Sequence, residues 1–429
     1  MRVSHDSNRN GQLPIAVGVV LYLGFGCVFA LGTPPLTGPD EGPHAVYIRV
    51  VATELRLPQV GPPVAYSETA TTTHQAQHPP GYYFLCAPLF RLLRALSVSP
   101  WTGLRLFSLL IGAATVVVVW RIGRLLFPEG STAVALSATT GMVPMFQYMT
   151  AMINNIGLAI LFVALAAHRM AVILRGRDDR RQWAILGIIL GLASLTSLMG
   201  LALCLVPMGL LAMRARALGA REALLRLAAV VGGPAALAGW WFARNYVVHG
   251  ALTPMFRGQP AMVVGLPTVL LGDPMAALLS VGIILNNGLI QLWSCAWLMR
   301  ETGAPMPALV LLRLVAYVGF ALFVAGVVRA GRSSHAALRS WATIAVLAFL
   351  IVLGGVVRQA WYVDLQVAGF VGRYFVILLP LCLPLAAWGL DLAQAGRLSV
   401  TRLLAASWAF LILGNAAHAA YVVWFFQRY

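Results

Sequence analysis

The sequence predicts an all-α polytopic membrane protein, and three observations predict it. The 429-residue chain is 60% hydrophobic and only 10% charged, whereas about a quarter of a soluble domain is charged. Apolar runs of about 20 residues, the length that crosses a hydrocarbon core, recur from end to end. Arginines gather at alternate connections between those runs, the topology signal of a membrane protein. A soluble enzyme with a large core is excluded, because no soluble fold hides this much apolar length. Residues 1–429 read as a single integral membrane domain of about eleven transmembrane helices.

The elements follow in order. The first span is expected over 13–31. Arg2 and Arg9 before it resemble a signal peptide, but the run is long and no clear A-x-A site follows, so a retained helix is expected. Residues 32–101 form a first extracytoplasmic loop rich in Pro, Thr and Gln. Within it 81–96 is apolar but carries Arg91 and Arg94, so it reads as an interfacial helix. Further spans are expected at 102–120, 132–149 and 155–174. Residues 183–213 are short for two full spans and read as a tight hairpin of short helices or a re-entrant pair, with both ends on one side. A span at 224–243 precedes a second extracytoplasmic segment, 244–304, with its own apolar stretch. The last spans are expected at 306–328, 341–357, 374–391 and 403–424.

The charges test this layout. Arg2/Arg9, Arg121/Arg124, Arg175/Arg177/Arg180/Arg181, Arg214/Arg216/Arg221/Arg226, Arg329/Arg332/Arg339 and Arg397/Arg402 all fall on one side. By the positive-inside rule that side is the cytoplasm, and the N-terminus lies there. Asp40, Glu41, His44, Glu68, His78, Arg244, Asp273, Asp364 and Arg373 fall on the other. The net charge of +17, carried by arginine without a lysine, therefore reads as topology and not as nucleic-acid binding. The five cysteines show no CxxC or metal-type spacing; a Cys86–Cys295 disulfide on the outer side is an open alternative to five small apolar residues.

Candidate chemistry lies on the outer side. In Gly38-Pro39-Asp40-Glu41-Gly42-Pro43-His44 two of the few acidic residues are adjacent. Adjacent carboxylates share one proton or split into a base and an orienting group, and ionisable groups this near a bilayer mark a site; the bland alternative is a solvated loop. His44 adds a hydrogen-bond partner or a ligand. A divalent cation held by Asp40, His44 and His74 or His78 suits those ligand types, but the spacing matches no recognised motif, so no metal ligand is assigned. In Gln77-His78-Pro79-Pro80-Gly81-Tyr82-Tyr83 the prolines deny a helix before Gly81; an ordinary aromatic belt is the alternative reading. Arg244, beside Asn245, and Arg373, beside Tyr374, break the positive-inside bias and read as anion binders, because a guanidinium fork matches phosphate oxygens; snorkelling anchors are the alternative. Gln291-Leu292-Trp293-Ser294 and Trp361-Tyr362 add outer aromatics suited to a sugar ring or the interface. Asn154-Asn155 either reach the same cavity or cap a turn. Asp178-Asp179, among arginines, read as a solvated loop. No nucleotide loop or GxSxG elbow is present.

These motifs, in this order and on one side, resemble the GT-C superfamily of polytopic glycosyltransferases, which use polyprenyl-phosphate-linked sugars. The matching residues are Pro39 to His44, His78 to Tyr83, Gly191 to Ser197, Trp241 to Gly250 and Gly372-Arg373-Tyr374-Phe375; the last two motifs resemble a bacterial branch. The resemblance implies that Asp40 is the catalytic carboxylate of the first outer loop, that Glu41 is the second acidic position, and that Arg244 and Arg373 face the donor phosphate. His44, His78, Tyr82, Tyr83, Asn245 and Tyr374 join the expected substrate site. Two departures stand out. Many relatives carry an acidic residue where this chain has Asn154-Asn155, and Thr-Lys where it has Thr196-Ser197. The chain shows no large soluble C-terminal domain of the kind some branches carry, so acceptor recognition is expected from the outer loops.

The function expected is inverting transfer of a sugar from a polyprenyl-phosphate donor to an acceptor hydroxyl of a cell-envelope glycan, lipid or protein. No cofactor is certain, membrane lipids are the surrounding partners, and the expected location is the bacterial inner membrane with an extracytoplasmic active site. The alternative is a transporter or flippase of lipid-linked saccharides; it predicts internal repeats and broken helices at the midplane, and neither is evident in the sequence.

Overall fold

A computed structural model describes residues 13–62, 65–127, 139–254, 274–294, 306–362 and 372–393, with a few single positions between 409 and 420. The helices in chain order are α1 (Leu13–Gly32), α2 (Glu41–Glu54), α3 (Gly81–Ala95), α4 (Pro100–Leu126), α5 (Pro144–Ala151), α6 (Ile156–Leu174), α7 (Arg180–Thr196), α8 (Leu198–Ala202), α9 (Leu205–Leu218), α10 (Ala220–His249), α11 (Pro274–Ser294), α12 (Met306–Arg332), α13 (Ala336–Tyr362), α14 (Gly372–Phe375) and α15 (Leu379–Ala393). Short 3₁₀ turns lie at His74–Gln77, Thr139–Met142 and Val376–Leu378. Among the described residues eight helical segments are long and apolar enough to cross a membrane, and the only strand-like pairing is one bridge between Gln59 and Thr72. The expected span at 403–424 lies almost wholly outside the described residues, as do Cys295, Asp273 and Asp364.

Without a hydrophobic drive between helices in lipid, close backbone approach holds the bundle together. Gly187 and Gly191 of α7 lie against the backbone of Ala229 and Gly233 on α10, and a Cβ at either glycine would collide with a carbonyl oxygen. The α7–α8–α9 unit is the expected hairpin. Asp178, before α7, accepts from Arg214 Nε at 2.6 Å after the return and from Trp183 Nε1 at 2.7 Å, so both ends lie together. The Arg226 guanidinium joins them through the Asp178 carbonyl at 3.0 Å. Asp178 is thus a clamp between three elements and not the solvated loop residue expected. Arg329 lies over the Trp388 ring at 4.4 Å, and Phe127 packs on the same ring at 5.4 Å. The arginine-bearing ends of α4 and α12 therefore converge on the end of α15.

Two expected boundaries change. The span at 132–149 is replaced, where described, by a buried 3₁₀ turn at Thr139–Met142 and the eight-residue α5. Pro144 begins that helix and holds Val143 extended (φ −72°, ψ 116°), as expected before proline. The span at 224–243 runs on to His249 because no breaker intervenes before Gly250, whose φ of 68° ends it as a left-handed cap. Arg244 and Asn245 are therefore residues of α10, not of a loop.

At the end of the bundle opposite the arginine-rich connections, the first loop folds as an ordered cap. Its own core joins Tyr47, Ile48, Tyr82, Tyr83, Cys86 and Phe90 to Leu104 of α4. Cys86 is a buried free thiol there. Thr73 pins the His74–Gln77 turn to α2 by donating to the Pro43 carbonyl at 3.1 Å. Gly81 starts α3 against the end of α7, where a Cβ would lie 2.8 Å from the Leu195 carbonyl oxygen.

Candidate active site

The two adjacent acids part company. Glu41, with 0% of its side chain exposed, faces inward to Arg105 of α4, itself 2% exposed. Arg105 donates to both Glu41 oxygens, Nε to Oε1 at 2.7 Å and Nη2 to Oε2 at 2.5 Å. The Gly38 and Ile153 amides each donate to Glu41 at 3.1 Å. Arg105 also donates to the carbonyls of Ala30, Thr33 and Pro34, at 2.9, 2.5 and 2.8 Å. One ion pair thus ties the end of α1, the start of α2, α4 and the segment after α5. No hydrogen bond joins Glu41 to Asp40.

Asp40 turns the other way. Its φ of 55° places it in the left-handed region at the start of α2, which Asp tolerates better than most residues. Its side chain does not cap the helix; Arg373 of α14 donates to it, Nη1 to Oδ2 at 2.6 Å, across 333 residues of sequence. Arg373 Nη2 donates to the Tyr374 hydroxyl at 3.2 Å, and the guanidinium lies 5.1 Å from that ring's centroid. Gln291 of α11 sets this helix by accepting from the Gly372 amide at 2.6 Å.

Three imidazoles surround the pair. His74 Nε2 lies 3.9 Å from Asp40 Oδ1 and accepts from Gln75 Nε2 at 2.9 Å. His44 Nδ1 pairs with the Tyr83 hydroxyl at 2.9 Å, and its ring stacks beside His78 at 6.4 Å. Burial pushes the Asp40 carboxyl up, but the Arg373 guanidinium, with His44 and His74, outweighs it and leaves the group below its usual range. Burial is also the largest influence on the histidines, pushing His44 down to about 3 and His78 to about 4, and lowering His74. All three are neutral near pH 7. His74 Nδ1, His78 Nδ1, Gln75 Oε1 and Arg373 Nε are buried without a partner among the described residues, so the site holds unsatisfied donors and acceptors suited to hydroxyl groups.

The remaining expected site residues are brought near but do different work. Tyr82 and Tyr83 are both 0% exposed and offer a ligand no surface. Tyr82 bonds Ser108 at 2.9 Å, and Tyr83 stacks on Tyr47 at 3.5 Å while holding His44. Arg244 donates to Asn245 Oδ1 at 3.1 Å and acts electrostatically on the Tyr47 phenol. Asn154 caps α6, its Oδ1 accepting from the Ile156 amide at 2.9 Å, and Asn155 donates to the Thr196 carbonyl at 2.9 Å. Both are structural. Among the described residues no three His, Cys, Asp or Glu side chains converge to hold a metal. Asp40 Oδ2 is engaged by Arg373 and His44 Nδ1 by Tyr83.

The fold has known counterparts. The structure resembles the archaeal oligosaccharyltransferase AglB from Archaeoglobus fulgidus, solved with an inhibitory peptide and a dolichol-phosphate. The TM-score is 0.52 at 12% identity, over 98% of this chain and 56% of that one. A second structure of the Archaeoglobus fulgidus oligosaccharyltransferase, with Zn and sulfate, gives 0.54 at 14% identity, over 94% and 53%. The chain has the fold of the GT-C glycosyltransferases. It spans about half the length of those two structures. ArnT from Cupriavidus metallidurans, bound to undecaprenyl phosphate, matches with a TM-score of 0.42 at 17% identity, over 89% of this chain and 78% of that one. Residues 77–240 match the family model described as dolichyl-phosphate-mannose-protein mannosyltransferase, a stretch running from His78 through α10 that contains neither Asp40 nor Arg373. No curated protein matches the sequence. On this GT-C fold, Gln75, Arg105 and Gln291 are residues that the sequence alone did not assign to the site. Arg105 was detectable as the one charge in the first turns of an otherwise apolar span; Gln291 carried no signal beyond its aromatic neighbours.

Proposed function

We propose that this protein is an inverting glycosyltransferase that moves a sugar from a polyprenyl-phosphate carrier to an acceptor hydroxyl at the extracytoplasmic face. The single observation that carries the reading is the juxtaposition of Asp40 and Arg373 at 2.6 Å, a base and an anion-binding fork together on a GT-C fold. The basic ends of the helices, at the opposite end of the bundle, support the assignment of sides.

In this reading the carrier phosphate lies against Arg373, with Arg244 toward the lipid side. Asp40 takes the proton of the acceptor hydroxyl as its oxygen bonds to the anomeric carbon. The carbon–phosphate oxygen bond breaks as that bond forms, and the phosphate leaves with the electron pair. A phosphate anion needs no proton to leave but gains from the guanidinium charge. Glu41, locked on Arg105, is not available as a second acid or nucleophile, and attack assisted by one carboxylate from one face inverts the configuration. Glu41 and Arg105 position Asp40. The neutral His44, His74 and His78 and the Gln75 amide are assigned to sugar or acceptor hydroxyls. Both partners stay bound side by side, which supplies much of the remaining rate.

The test is a donor screen with purified protein in nanodiscs, following release of polyprenyl phosphate. Release that depends on an acceptor supports the transferase. Movement of saccharide across the membrane without release would replace it with the transporter.

A further inference from the structure

The site contains a conflict that the transferase reading must resolve. Asp40 is assigned the acceptor proton and Arg373 the carrier phosphate, yet the two side chains neutralise each other at 2.6 Å. Among the described residues nothing else holds the Asp40 carboxylate within hydrogen-bond range: its second oxygen has only His74 Nε2, at 3.9 Å. Asp40 does not cap its own helix. Arg373 has spare capacity, with Nη2 on the Tyr374 hydroxyl and Nε buried without a partner. Both side chains are partly open, 35% for Asp40 and 23% for Arg373, so an incoming anion reaches the fork.

A phosphate oxygen and a carboxylate oxygen meet a guanidinium in the same way. A base hydrogen-bonded to a cation is a weak base; the same base with its cation drawn elsewhere is stronger. We infer, resting on the transferase reading, that the carrier phosphate and the Asp40 carboxylate compete for Arg373, so that docking of the phosphate frees Asp40 to accept the acceptor proton. The site is then assembled by its donor. Without donor, Asp40 is occupied, and water entering the site meets no free base.

The competition has a signature that simple charge repulsion lacks. The probe is a polyprenyl monophosphate, and its affinity is measured by tryptophan fluorescence on full-length protein in nanodiscs. Asp40→Asn removes the competitor and is expected to tighten binding by about five-fold, the worth of a partly exposed ion pair of about 1 kcal/mol. Arg373→Gln is expected to weaken binding, and in that background Asp40→Asn is expected to add nothing. Thermal melting checks that each variant is folded, and Arg373→Met serves as a second background should Arg373→Gln fail to fold. Equal tightening by Asp40→Asn with and without Arg373 would overturn the competition, because it would be long-range repulsion only. Unchanged or weaker binding in Asp40→Asn, with Arg373→Gln still weakened, would also overturn it and make Asp40 a positioning residue for Arg373, while the transferase reading survives. Unaltered binding in Arg373→Gln would remove the phosphate assignment itself, and the competition with it.

Discussion

Replacing Glu41 and Asp40 one at a time by their amides separates a structural carboxylate from a working one. Glu41 accepts four hydrogen bonds, two from Arg105 and one each from the Gly38 and Ile153 amides. Glu41→Gln leaves one oxygen where two stood, so two of those donors lose their acceptor and face an amide NH₂. Each buried donor left unpaired costs about 1–3 kcal/mol, and Arg105, 2% exposed, is left with an uncompensated charge. Breaking a buried ion pair in this way costs about 3–5 kcal/mol. Asp40 is 35% exposed and its partner 23%, so Asp40→Asn forfeits an ion pair worth about 1 kcal/mol or less. The expected result is a strongly destabilised Glu41→Gln and a near-native Asp40→Asn, measured by unfolding in mixed micelles with increasing SDS. Turnover is expected to reverse the order per folded molecule: Asp40→Asn loses about 100-fold or more, the scale of a general base, while Glu41→Gln keeps more. A stable Glu41→Gln beside an unstable Asp40→Asn would refute the division of labour.

Further expectations follow from the same geometry. The folded-state values of His44 and His78 are pushed to about 3 and about 4 from 6.5; the unfolded chain binds protons first, so stability falls as pH drops from about 6.5 toward those values, and melting curves of His44→Gln are expected to flatten that decline. The same depression at Asp40 extends the acid limb of kcat/KM below the usual carboxylate range, and a limb near 6 to 7 would assign the base elsewhere. Gly81→Ala forces a Cβ to 2.8 Å from the Leu195 carbonyl and is expected to lower the melting temperature; an unaffected protein would show that α3 is not seated on α7. Single cysteines at Ser67 and Arg177, both exposed, in a variant lacking the five native cysteines, test sidedness: impermeant reagent is expected to label the first and spare the second in intact cells.

The bundle was legible in the sequence because each span states its own case. Apolar length and arginine at alternate ends need no distant information, and the Asp178 clamp and the Arg329–Trp388 contact place those ends together. The first loop was legible in part. Gly81 after two prolines marked the start of α3, and Asp40 was conspicuous as a rare acid near a bilayer. What no local pattern carries is which acid faces where. Asp40 and Glu41 are neighbours, yet a left-handed turn at Asp40 sends one to Arg373 and the other to Arg105. Arg105, inside an apolar run, reads as a tolerated exception until Glu41 is brought to it. Tyr82 and Tyr83 read as substrate-site residues or interfacial aromatics, and only packing against Tyr47 and Ser108 shows them buried. The end of α5 failed for the same reason, since a short buried helix between Pro144 and Asn154 has the composition of a span but not its length.

Asp40 is proposed to take the acceptor proton during glycosyl transfer from a carrier phosphate bound by Arg373. The most direct measurement is a single-turnover reaction in nanodiscs, with a panel of polyprenyl-phosphate sugars and hydroxyl acceptors, that follows both polyprenyl phosphate release and the anomeric configuration of the product. Acceptor-dependent release with inversion is expected in the wild-type protein, and in Asp40→Asn a loss of release with the carrier still bound. Wild-type release rates in Asp40→Asn, or a product of retained configuration, would contradict that proposal.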